Sequence, residues 1–343
     1  MIYPWQHDDW NRLQRLRTQW PHALLLYGQA GIGKLRFAQH LAQGMLCEAP
    51  AANGEPCGQC VACNWFVQGN HPDYRALLPE ALAGEAAGAA GSGGDEKAEG
   101  EEGKKSRAPS KEIKIEQVRA LLDFCGVGAH RGGARVVLVY PADALNAASA
   151  NALLKTLEEP PAGVVFLLVS ARIDRLLPTI ISRCRQWPMS TPSPDEARGW
   201  LVVQGAADAG ALLAEAGGAP LAALALAADE HRALRDFTLK QLAAGPECDA
   251  FACGEALQKL PVPVVLGWLQ RWLYDLVAER AAGRPRYFPA AQRELARCAA
   301  RIDANAFARF MKTVTRERAV ENHPLNARLV FEALFLGYRD LFV

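Results

Sequence analysis

The sequence predicts an α/β protein, a parallel sheet with helices on both faces followed by a purely helical C-terminal half. Three observations predict it. Continuous apolar runs at Leu24–Leu26, Val136–Val139 and Val164–Val169 are what strands buried on both faces require. Segments of helical periodicity separate these runs, and strands alternating with helices imply parallel crossovers. Beyond Arg185 every periodic segment reads as helix. The 343 residues exceed what one core usually supports, so we expect a core over residues 1–190, a small helical segment over 191–232 and a helical bundle over 233–343.

Composition excludes some classes of function. Half the residues are hydrophobic and the formal net charge is +1, so the chain lacks the global basic bias of a dedicated nucleic-acid binder. No run approaches about 18 uninterrupted apolar residues, and Met1–Trp10 carries Gln6, His7, Asp8 and Asp9 in place of an apolar leader. A cytoplasmic location is therefore expected. In that compartment the nine cysteines should be reduced or metal-bound.

Taken in order, Trp10–Trp20 has helical spacing and is stopped by Pro21 before a strand at Ala23–Tyr27. The turn after it fits the phosphate-cradling pattern G-x-x-x-x-G-K-[ST] at Gly28, Gly33 and Lys34, with Gly31 between. Its last position fails, because Leu35 replaces the hydroxyl that would ligate Mg²⁺. Phe37, Leu41 and Met45 then recur four apart, as on a helix packed against a sheet.

Cys47, Cys57, Cys60 and Cys63 follow as C-x9-C-x2-C-x2-C, separated by Glu55, Pro56, Gly58 and Gln59, which do not belong in a core. Such spacing suits a tetrahedral Zn²⁺, and four protein ligands leave no open position, so the expected metal is structural. His71-Pro72-Asp73 reads as a turn into a strand at Tyr74–Leu78 in preference to a second metal site. From Glu80 to Ser110 the composition changes: Ala, Gly and Ser dominate to Gly94, and Asp95–Lys105 mixes acids and lysines with no large apolar residue, which predicts a disordered surface insertion.

Order resumes at Ile113 with a helix through Phe124, then a buried strand at Arg135–Tyr140. A working nucleotide hydrolase carries a metal-binding acid at the end of such a strand, and here Tyr140 and Pro141 occupy that place. A helix over Asn146–Glu159 ends at Pro160-Pro161, a strand spans Val164–Ser170, and a loop over Arg172–Pro178 leads to Ile180-Ile181-Ser182-Arg183-Cys184-Arg185. Ser193 and Pro194 form a cap and first helical position, and Ala206–Leu226 is helical. The stripe Trp268, Trp272 and Leu276 serves equally as core or as interface. In Asn322–Asn326, which opens the last helix, His323 reads as a cap or turn residue.

The degenerate cradle, the four-cysteine insert, His71-Pro72-Asp73, the run Asn151–Pro161 and Ser182-Arg183-Cys184 together resemble bacterial clamp-loader subunits of the AAA+ superfamily, nearest to their delta-prime branch. The resemblance spans the chain apart from the Glu80–Ser110 insertion. It implies a P-loop AAA+ core, a helical lid and a C-terminal collar domain. The implied role is loading of a sliding clamp onto primer-template DNA, as part of DNA polymerase III and in a ring with gamma/tau and delta subunits. It also implies that Arg183 reaches the ATP of a neighbouring subunit while this chain hydrolyses none. Ser170 falls near a γ-phosphate sensor position, and in the lid Pro220 replaces a second sensor arginine. An independent ATPase motor of repair or recombination is the competing reading. It needs a metal acid near the cradle, and the candidate, Asp143, is expected on the turn after the strand.

Overall fold

The computed structural model describes residues 1–82, 109–126, 128–130, 133–320 and 326–342. Most of the predicted insertion, and His323, lie outside them. The chain divides into two compact units, Met1–Pro192 and Ser193–Val343.

The first unit is built on a five-stranded, all-parallel sheet. Its strands are β1 (Ala23–Tyr27), β2 (Tyr74–Leu77), β3 (Arg135–Val139), β4 (Val164–Ser170) and β5 (Arg185–Pro188), in spatial order β2-β3-β4-β1-β5. β1 pairs with β4 through Leu25 opposite Leu168, and β3 pairs with β4 through Val137 opposite Phe166. That register brings the carboxyl ends of β1, β3 and β4 side by side, the edge at which open parallel sheets hold ligands.

Helices cover both faces, as the apolar runs require. These are α1 (His7–Gln14), α2 (Lys34–Leu46), α3 (Val61–Val67), α4 (Ile115–Gly126), α5 (Ala147–Glu158) and α6 (Pro178–Ile181). Val118, Leu153, Leu157 and Ile180 from α4, α5 and α6 share one core with Leu25, Val137, Phe166 and Leu168. α2 crosses β1, β3 and β4, and its Phe37, Ala38, Leu41 and Ala42 are buried. Because side chains alternate along a strand, α2 meets the opposite face, where Leu24, Leu26, Leu138 and Leu167 are also fully buried.

Two local expectations are corrected. β5 lies within the stretch expected to be helical. It is a short edge strand of which only Trp187 is buried, so it leaves no apolar run to detect. The first helix starts at His7 and gives way to turns from Arg15, whereas Trp10–Trp20 was expected. Asp8 and Asp9 favour its early start through the helix dipole.

The second unit is helical. α7 (Pro194–Val203), α8 (Ala209–Glu215) and α9 (Pro220–Ala227) gather around Ala197, Leu201, Leu212 and Ala223. Ser193 and Glu196 form a reciprocal capping box at the start of α7, and Pro220 is the first residue of α9. A separate core joins α10 (Arg232–Ala243), α11 (Ala250–Leu257), α12 (Val262–Ala282), α13 (Gln292–Ala299), α14 (Ala304–Val320) and α15 (Ala327–Arg339). The stripe Trp268, Trp272 and Leu276 belongs to this core, and Trp272 Nε1 donates to Tyr338 Oη at 2.9 Å. Buried Asp275 accepts from the backbone N–H groups of Arg286, Tyr287 and Phe288 at 2.7 to 3.1 Å, which fixes the loop after α12. Asn326 caps α15. Among the described residues no single helix is long and apolar enough to cross a membrane.

Candidate functional site

The cradle forms where β1 runs out. Gly28, Gly31 and Gly33 take φ values of +152°, +80° and +87°, and Lys34 begins α2. The last two lie in the left-handed region that favours glycine, which lets the backbone curl at the helix N-terminus. Lys34 then turns inward and is 5% exposed. Its Nζ donates to the carbonyls of Gly28 at 2.8 Å and Gln29 at 2.7 Å. Burial pushes its ammonium down to about 8, an effect that Asp143 partly offsets. The cation of the cradle is thus bonded to the cradle's own carbonyl oxygens.

The N-terminal segment closes over the same turn. Trp5 Nε1 and Gln6 Nε2 both donate to the carbonyl of Ile32 at 3.0 Å, and Gln6 is fully buried. Tyr3 stacks on Trp5 with ring centroids 4.9 Å apart, and the Arg36 guanidinium lies 4.9 Å from the Tyr3 ring centre. A Cβ on Gly33 would stand 2.4 Å from the Tyr3 ring. The composition of Met1–Trp10 does not announce this strap. Its one trace in the sequence is the aromatic cluster Tyr3-Pro4-Trp5 so close to the N-terminus.

Opposite the turn, Asp143 lies in a short 3₁₀ segment, Ala142–Ala144, just after β3. Its carboxylate accepts from Ser170 Oγ at 2.6 Å, and Ser170 Oγ in turn accepts from the Arg172 N–H at 2.9 Å. The sequence-predicted acid and serine therefore meet each other at the sheet edge.

The four cysteines converge as their spacing predicts. Their sulfurs all lie within 4.8 Å of one another, with Cys47 Sγ 3.5 Å from Cys57 Sγ and 3.9 Å from Cys60 Sγ. The N–H groups of Cys57, Cys60 and Cys63 donate to the sulfurs of Cys47, Cys57 and Cys60 at 3.3 to 3.4 Å. Backbone donors from Gln59 and Cys60 lower the Cys57 thiol to about 6, whereas burial raises those of Cys47 and Cys63. Four soft donors on one small volume make a cluster able to hold a metal ion. The loop between Cys47 and Cys57 rests on α1: Trp10 Nε1 donates to Asn53 O at 3.0 Å, and Gly54 abuts Gln14.

His71 and Asp73 take no part in that cluster. They form a turn in which the Asp73 N–H donates to His71 Nδ1 at 3.1 Å, and Asp73 makes a buried ion pair with Arg135 at 3.3 Å.

Arg183 stands away from the cradle, after α6. Ile180 and Cys184 on either side of it are buried, while the arginine side chain is 32% exposed. Its Nη1 donates to Thr179 O at 2.9 Å, and its Nη2 pairs with Glu158, the last residue of α5.

A family model described as "DNA polymerase III, delta subunit" matches residues 6–193. Over 288 residues the chain is 39% identical to DNA polymerase III subunit delta' of Pseudomonas aeruginosa, a match covering 80% of this chain and 77% of that one. The corresponding subunit of Escherichia coli is 33% identical over 279 residues, covering 80% and 75%. Among solved structures, a gamma subunit-related protein of DNA polymerase III from Thermotoga maritima aligns over 97% of this chain and 99% of its own, at 18% identity and a TM-score of 0.46.

Proposed function

The chain belongs to the DNA polymerase III delta-prime family of clamp-loader components, and from that premise we propose that it loads clamps without turning over ATP itself. The observation that carries this reading is the state of the cradle. Lys34 is bonded to Gly28 and Gln29, and Leu35, Tyr140 and Pro141 stand where metal ligands and a water-orienting acid belong. Phosphoryl transfer depends almost wholly on positioned charge, and an unmet Mg²⁺ with an internally bonded lysine supplies little of it. Gly28, Gly31, Gly33 and Lys34 are in this reading a remnant of a nucleotide site, covered by Tyr3, Trp5 and Gln6.

The catalytic contribution is made in trans. Arg183 is anchored between buried neighbours yet reaches the surface, and a planar, permanently charged fork suits the charge that develops on a transferring phosphoryl group. The partners in this proposal are gamma/tau and delta subunits in a cytoplasmic ring acting on a sliding clamp and primer-template DNA. α7–α9 serve as the lid and α10–α15 as the collar domain.

Zn²⁺ is the metal proposed for Cys47, Cys57, Cys60 and Cys63. The donor set is four cysteine sulfurs within 4.8 Å of one another, and the separations of Cys47 Sγ from Cys57 Sγ and Cys60 Sγ, 3.5 and 3.9 Å, are close to the edges of a tetrahedron around one ion. When bound, the ion supplies the positive charge that lets four crowded thiols ionise, and its role is structural.

The alternative of an independent motor would need Asp143 free for metal, and its carboxylate is instead engaged by Ser170. The deciding measurements are steady-state ATP hydrolysis by the isolated subunit and by the reconstituted complex. The isolated subunit is expected to show no turnover, and activity abolished by Lys34→Ala would defeat the reading. Arg183→Ala should assemble normally and slow hydrolysis at the neighbouring site by roughly 10³–10⁵-fold. A wild-type rate would remove Arg183 from the mechanism.

A further inference from the structure

We propose that Glu158 is a positioning residue for Arg183, holding the guanidinium in the orientation it needs on the neighbour's nucleotide. The inference rests on the reading of Arg183 given above and deepens it. Leu157, beside Glu158, is 1% exposed, and Ile180, three residues before Arg183, is fully buried in the same core. The backbones carrying the carboxylate and the guanidinium are therefore fixed relative to one another by packing.

The contacts of Arg183 divide its donors. Nη1 is directed to Thr179 O on α6 and Nη2 to Glu158 at the end of α5. Nη1 also makes a longer contact, 3.4 Å, to the neighbouring Ser182 Oγ. Acceptors on either side of the guanidinium, on α6 and its following turn and on α5, define a plane for the group, whereas those of one side alone would leave it free to swivel. An arginine has five N–H donors, so these bonds leave others available at the exposed side. The ordering that an unrestrained arginine would undergo on meeting a phosphoryl group is in this way completed beforehand, which is how preorganisation raises a rate.

Other roles account poorly for the carboxylate. An acid in the last turn of a helix opposes the helix dipole, so α5 gains nothing from ending in Glu158. The pair is 32% and 48% exposed, and ion pairs of that exposure contribute little to stability. A weak, geometrically defined pair beside a surface arginine is what a positioning role requires.

The test uses complexes reconstituted from full-length subunits in which the ATPase subunits carry Ala at their own Ser-Arg-Cys arginines, so that only the site served by Arg183 reports. Clamp- and primed-DNA-stimulated hydrolysis is measured for Glu158→Ala, Glu158→Gln, Arg183→Ala and the Glu158→Ala/Arg183→Ala pair, with melting temperature and assembly followed alongside. Glu158→Ala should lower kcat about five- to tenfold, leaving KM for ATP and the melting temperature unchanged. Glu158→Gln, which keeps the size and one acceptor oxygen, should fall between, and it carries the test if the Ala variant folds poorly. In the Arg183→Ala background the loss of Glu158 should do nothing further. A wild-type or raised kcat in both Glu158 variants while Arg183→Ala is slow overturns the proposal. So does a Glu158 effect that persists without Arg183. Wild-type kcat in Arg183→Ala itself overturns the arginine reading as well, whatever Glu158 does.

Discussion

Gly33→Ala adds one carbon to the best-defined part of the cradle, and the structure fixes what that carbon meets. At φ +87° an L-residue carries a backbone penalty of about 1–2 kcal/mol. The new Cβ would also lie 2.4 and 2.5 Å from two carbons of the Tyr3 ring and 3.2 Å from Gln6 Nε2. Overpacking of this kind costs about 1–3 kcal/mol, since the half-buried ring can swing outward only by giving up its stack on Trp5 and its contact with Arg36. The sum is a destabilisation of about 2–5 kcal/mol, read by urea unfolding of the full-length subunit. Tyr3→Ala should relieve the steric part and leave the backbone part, giving a coupling of about 1–3 kcal/mol in the double-mutant cycle. If, as proposed, the cradle turns over no ATP, complexes built with folded Gly33→Ala subunit hydrolyse ATP at the wild-type rate. Additive effects of the two substitutions would refute the packing argument. A slowed complex at a temperature where the variant is folded would refute the functional one.

Protein purified without chelator should contain one equivalent of zinc, and chelation or Cys60→Ser should lower the melting temperature of the first unit, because metal binding appears as folding free energy. Substoichiometric metal, or a melting curve indifferent to chelation, would count against the site. His40 gives a pH signature: its Nε2 is buried without a partner, and burial first, then the N-terminal amine, lowers its pKa from 6.5 to about 4. The unfolded chain takes up this proton as pH falls through 6.5, the folded chain only near 4, so stability present at pH 7 is lost across that window. His40→Gln should flatten the fall between pH 7 and 4 by about 1–2 kcal/mol after allowance for partial exposure, and superimposable pH profiles would exclude this role for His40.

What could be read from the sequence depended on whether the physical cause was local. Leu24–Leu26, Val136–Val139 and Val164–Val169 announce buried strands by composition alone, and Gly28–Lys34 announces its turn by the backbone geometry that only glycine adopts freely. The cysteine cluster was equally legible, since three of its four members fall within seven residues. The strap was not, because the bonds from Trp5 and Gln6 to Ile32 span 27 and 26 residues and carry no periodic signature. Arg135 illustrates the same limit. It reads as a basic residue at a strand start, yet it is 3% exposed and balanced by Asp73, 62 positions earlier. Nor could the partner of Arg183 be named beforehand, because Glu158 and Glu159 are adjacent and only helix phase decides which faces it.

Helix α1 touches both halves of the site through opposite ends. The residues just before it bond Ile32 in the glycine turn, while its Trp10 and Gln14 carry the loop between Cys47 and Cys57. Eight residues of helix span only about 12 Å, too short to bend between those attachments. The glycine turn and the cysteine loop therefore open together or not at all, as one cooperative unit of local unfolding. In amide hydrogen exchange, the Phe37 and Gly54 amides, bonded to Gly33 O and Ala51 O, would share one opening free energy, and chelation of a metal held by the cysteines would quicken exchange at the cradle, where no cysteine lies.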